Sequence, residues 1–68
     1  MDPQACYLLM LGALGAGDFD GAYSHMSDLR DWLESGGFPP TGMITSFALA
    51  LCNQVALTCA AAEGVELD

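Results

Sequence analysis

The chain is almost without positive charge. It holds one arginine, Arg30, no lysine and one histidine, His25, against nine acidic residues, for a formal net charge of −8. A surface that reads nucleic acid needs several cations to displace counterions along the phosphates, so direct nucleic-acid binding is disfavoured. Attachment to anionic lipid is disfavoured for the same reason. The cysteines do not pair evenly: Cys6, Cys52 and Cys59 are odd in number and include no Cys-x-x-Cys pair. Met1-Asp2-Pro3 lacks the basic n-region of a signal peptide. These features lead us to expect reduced, buried thiols in a cytoplasmic compartment. The Cys and His spacings fit no common zinc pattern, so we expect no metal and no cofactor.

Apolar residues, by contrast, are abundant. Counting glycine and omitting tyrosine they make up about 62% of the chain, against a typical 45–50%. A single domain of 68 residues buries only about 60% of its unfolded surface. Such a chain has more apolar surface than one small core hides, which implies oligomerisation, a partner or a membrane. The net charge needs no partner to explain it, since charge of one sign keeps an apolar chain soluble.

The clearest organisation lies between residues 18 and 40. Phe19, Ala22, Tyr23, Met26, Leu29 and Leu33 recur at three- and four-residue spacing, with Asp20, Ser24, Ser27, Asp28, Asp31 and Glu34 on the remaining faces. This pattern predicts an amphipathic helix over about 19–35. Asp18 supplies an N-cap. Gly36 supplies a left-handed C′ residue with Phe38 folding back, and Pro39-Pro40 prevents continuation. Before it, Asp2 caps and Pro3 opens a helix over about 3–16 that is apolar almost all round. Gly12, Gly15 and Ala16 there form a flat strip where another backbone can approach. After it, Thr41 is placed to cap a third helix over about 42–62. Residues 43–62 contain no charge, glycine or proline. Ile44, Phe47, Ala48, Leu51, Val55, Cys59 and Ala62 form its main stripe, with Leu49 and Leu57 away from it. Residues 63–68 read as a tail in which Gly64 ends the helix and the acidic stretch 65–68 frays.

The turn Gly17-Asp18-Phe19-Asp20-Gly21-Ala22 resembles the inter-helix turn of a tetratricopeptide repeat, and Leu9 and Ala22 match small or apolar positions of that pattern. Cys6, Met10, Ala13 and Glu34 depart from it. One unit fits where repeat folds need three, so the resemblance implies an antiparallel helical hairpin and not peptide binding. The run Asp28-Leu29-x-x-Trp32-Leu33-x-x-Gly36-Gly37-Phe38-Pro39-Pro40 is similar to small phage and bacterial helical proteins without an established activity.

Twenty uncharged residues match the length of a membrane span. Asn53-Gln54 would then sit mid-span with both amides needing partners, and no Lys or Arg flanks either end. A helix central to a small bundle or dimer fits better, with Asn53 or Gln54 bonding across a two-fold axis. His25 and Asp28, one turn apart, form a candidate acid/base pair, but no nucleophile neighbours them in sequence. They read more simply as surface groups, and no catalytic residue is assigned. Trp32 either packs at the core edge on Phe38 and the proline turn or anchors a partner.

The sequence thus predicts an all-α, small three-helix bundle: a helical hairpin plus a long apolar C-terminal helix, completed by oligomerisation. The first and third helices are expected to pack together with the second laid across them. The expected role is a non-enzymatic protein–protein interaction or structural module, a homo-oligomer with a dimer as first choice. Its candidate interface is Trp32, Phe47, Leu51, Asn53 and Val55. Two other readings are an acidic nucleic-acid mimic presenting Asp20, Asp28, Asp31 and Glu34 to a basic partner, and a single-span membrane protein.

Overall fold

A computed structural model describes residues 1–62 and 64. Its secondary structure is three helices: α1 (Pro3–Gly15), α2 (Phe19–Glu34) and α3 (Thr45–Ala62). The acidic tail expected at 65–68 lies outside the described residues.

Capping sets the boundaries of the first two helices. The Asp2 carboxylate accepts from the Gln4 and Ala5 amides at 3.0 and 3.2 Å, with Pro3 at the position whose missing N–H costs nothing. At the end of α1, Gly17 has φ +75°. Its amide donates to the Leu14 carbonyl and that of Asp18 to the Ala13 carbonyl, the paired bonds of a Schellman ending. Asp18 then caps the next helix, its side chain accepting from the Gly21 amide at 3.0 Å. One residue therefore closes α1 and opens α2, which forces a tight antiparallel hairpin. The end of α2 repeats the device. Gly36 has φ +91°, and the Gly36 and Gly37 amides donate to the Leu33 and Trp32 carbonyls.

The arrangement of the helices differs from the expectation. α2 is the central element: α1 and α3 each pack against it, and no backbone packing joins α1 to α3. The core is correspondingly built on the α2 stripe Ala22, Met26, Leu29 and Leu33, all at most 3% exposed. Cys6 and Met10 meet it from α1, and Ala48, Cys52, Val55 and Cys59 from α3. The first and third helices have the longer apolar runs, but only α2 has one sharply defined apolar face. Two helices of mixed surface are held by the one helix with a stripe that both can share.

The third helix starts at Thr45, not 42. Thr41 does not cap it: the Thr41 amide donates to Gln4 Oε1 at 3.0 Å, tying the connection to α1. Gly42 then takes φ +83° and Met43 N–H closes a turn on the Pro40 carbonyl, so helical bonding begins only with Ala48 N–H to the Ile44 carbonyl. The buried face of α3 keeps Ala48, Val55 and Cys59 of the expected stripe, adds Cys52, and excludes the stripe's Ile44 and Phe47. Small side chains, Ala48, Cys52 and Cys59, sit inward with Val55, while Ile44 and Phe47 are 69% and 53% exposed. Small residues let two helix axes approach closely, and that close approach turns the bulky ones outward.

The total accessible surface is 4115 Å², which matches the roughly 4100 Å² expected of a compact monomer of this mass. The exposed apolar side chains therefore do not reflect loose packing. They are what remains when a compact chain has more apolar residues than interior.

Candidate functional site

Two surfaces carry the residues singled out by sequence. The first is the outward side of α3. Phe47, Asn53 and Leu57 are exposed there, Leu51 is half-buried, and Gln54 and Thr58 are exposed. Val55 does not belong with them: it is 7% exposed and packed in the core cluster. It lies on the side of α3 set by Ala48, Cys52 and Cys59, whose spacing of three and four residues faces α2. Trp32 is remote from this surface and belongs to the other one.

The exposure of α3 is unusual for a core helix, since only 22% of its 18 residues are buried, with mean hydropathy 1.4. Length and composition would suit a membrane. The packing sets charged groups of α2 beside the helix. Arg30 and Glu34 of α2 act electrostatically on Cys52, near the middle of α3. A bilayer centred on that helix would draw both charges into hydrocarbon, unless α2 came away and exposed its own apolar stripe. Asn53 and Gln54 on the exposed side would also lose water.

The second surface is an open groove of about 520 Å³ between α1 and α2. Asp2, Ala5, Cys6 and Leu9 line it from the α1 side; His25, Asp28, Asp31 and Trp32 line it from α2. Antiparallel packing set by the Asp18 turn brings the start of α1 beside the second half of α2. Trp32 is fixed at one end by three interactions. Its indole Nε1–H donates to the Phe38 carbonyl at 2.9 Å. Its ring meets Phe38 edge to face, with centroids 5.5 Å apart and planes at 85°. It also lies against Gly37, where a Cβ would overlap the ring. The core-edge packing of Trp32 on Phe38 is thus present, and the ring still borders the groove.

The structure places a nucleophile-bearing residue beside His25 and Asp28 that sequence proximity did not suggest. Cys6 lines the same groove, and its Sγ–H donates to the His25 backbone carbonyl at 3.2 Å. The surroundings work against a reactive thiolate. Burial pushes the Cys6 thiol above its ordinary value and the Asp28 carboxylate pushes it further, with a hydrogen bond to the Leu29 backbone pulling the other way. A nucleophilic cysteine needs the opposite environment. Cys52 is also raised, chiefly by burial, with Arg30 opposing.

The four acidic candidates are all exposed but do not form one line. Asp28 and Asp31 border the groove, while Glu34 lies near Cys52 on the flank facing α3. Among the described residues no group of three or more His, Cys, Asp or Glu is arranged to hold a metal ion. No family model, no curated protein and no solved structure matches the chain.

Proposed function

We propose that this protein is a non-enzymatic helical interaction module that pairs with a second copy of itself through the outward side of α3. The observation that carries this reading is the uncharged helix that packs on α2 with small residues and leaves Ile44, Phe47 and Leu57 in solvent, 50–69% exposed. A second copy is the occupant that charge favours. Each chain carries −8, but α3 has no ionisable side chain other than its cysteines between Thr45 and Ala62. Two α3 faces can therefore meet without bringing carboxylates together. A standard interface removes about 800 Å² per partner, about one-fifth of the 4115 Å² surface. Asn53 and Gln54 on that side supply amides that can bond across a two-fold axis and set the register. The buried cysteines suit a reducing, cytoplasmic setting.

Sedimentation equilibrium over about a hundredfold range of concentration tests the proposal, since mass action must drive association. The wild-type mass should rise towards twice that of the chain. The double variant Phe47→Asp/Leu57→Asp should retain its helical circular dichroism and stay at the mass of one chain. A wild-type protein that remains a monomer throughout, or a double variant that associates equally well, overturns it.

A further inference from the structure

The groove between α1 and α2 has no lining residue from α3, the surface proposed above for pairing. We propose that it is a docking site for an arginine-bearing segment of a different protein. The guanidinium would sit between Trp32 and the Asp28 and Asp31 carboxylates, and an apolar neighbour would rest on Ala5 and Leu9.

Charge complementarity selects this occupant. The groove is bordered by three carboxylates, Asp2, Asp28 and Asp31, against the Met1 amino terminus and His25, and by no Lys or Arg, so acidic groups outnumber basic ones there. One oxygen of Asp2 is occupied by the α1 cap. Asp28 and Asp31 carry no side-chain hydrogen bond to any described residue and are exposed, so they remain available to a cation. The wall they share with Trp32 is held in advance: the indole N–H is already satisfied by Phe38, and the ring is braced by Phe38 and Gly37. A ring immobilised before binding loses little entropy when a ligand stacks on it. Guanidinium suits the combination better than ammonium, because it stacks on indole and pairs with a carboxylate through two parallel bonds. The remaining wall, Ala5, Cys6 and Leu9, is apolar, so the site favours a peptide over a free cation.

The occupant is not a second copy. The chain has a single arginine, Arg30, which is half-buried near Cys52 on the flank of α2 that faces α3. Nucleic acid is excluded by the sign of the charge. The proposal does not depend on pairing through α3.

The test uses the full chain and a fluorescein-labelled peptide of repeated Arg-Leu-Leu-Arg units, with a matched peptide in which citrulline replaces every arginine. Binding is followed by peptide anisotropy and by the emission of Trp32, the only tryptophan, at about 0.15 M salt. The arginine peptide should bind at submillimolar concentration and change the Trp32 emission, and the citrulline peptide should not bind. Asp28→Asn/Asp31→Asn should weaken binding about tenfold or more, whereas Asp20→Asn/Glu34→Gln, the same change in net charge outside the groove, should weaken it less than about threefold. Equal weakening by the two pairs would mean diffuse attraction to an acidic protein and would overturn the site. So would equal binding of the citrulline peptide, unchanged Trp32 emission, or no binding of the arginine peptide.

Discussion

Leu29 and Leu57 are the same residue type in opposite circumstances, and replacing each by alanine isolates what the central position of α2 contributes. Leu29 is 1% exposed in the stripe that both neighbouring helices cover; Leu57 is 50% exposed on α3, outside the core cluster. Truncating a fully buried leucine removes its transfer free energy and leaves a cavity, together about 3 kcal/mol. A domain of 68 residues has only about 3–10 kcal/mol of stability in total. Leu29→Ala should therefore remove a third or more of it and lower the melting temperature by roughly 20 °C, from an unfolding entropy near 2.1 cal/mol/K per residue. Leu57→Ala, measured at a concentration where the chain is a monomer, should cost less than about 1 kcal/mol. Urea titration followed by far-ultraviolet circular dichroism gives both values. Equal losses, or a larger loss for Leu57→Ala under monomeric conditions, would refute the assignment of α2 as the shared core helix. A Leu57→Ala cost that grows with protein concentration would instead report the proposed α3 interface.

Three further outcomes concern the turns and the thiols. Gly36→Ala, at φ +91°, should cost about 1 kcal/mol in urea unfolding, whereas Gly37→Ala should displace the indole from Phe38 and shift Trp32 emission to the red. Because Cys6 and Cys52 are raised in the folded state, the unfolded chain releases their protons first as pH rises. Their contribution is therefore intact below the ordinary thiol value of 9.0 and is lost above it. The urea midpoint should fall as pH passes through that value, and Cys6→Ala/Cys52→Ala should flatten the fall; a steeper fall in the double variant would contradict the assignment.

Much of the fold was legible because its determinants are local. Asp2-Pro3, Gly17-Asp18 and Ser35-Gly36-Gly37 act on backbone groups a few residues away, so helix ends follow from residue chemistry alone. The stripe of α2 is equally local, being a spacing along one helix. The sequence places the start of α3 too early because residues 40–43 form a turn instead, with Gly42 at φ +83° and Met43 N–H on the Pro40 carbonyl, and the Thr41 amide anchors that turn to Gln4, a partner 37 residues distant. The groove is not legible as a site: the sequence marks Asp28 and Trp32 separately, but their juxtaposition with Asp2, Cys6 and Leu9 exists only once α1 folds back.

The sequence by itself determined three helices, the caps of the first two, the tight hairpin at Asp18 and a surplus of apolar surface, because each depends on neighbours in the chain or on composition. Tertiary structure alone decided which helix stands in the middle and which apolar residues stay outside. The long apolar helices offer no single face, so a hydrophobicity pattern cannot rank the ways they could pack. The close fit of Ala48, Cys52 and Cys59 against the α2 stripe makes the choice, and it leaves Ile44, Phe47 and Leu57 in solvent.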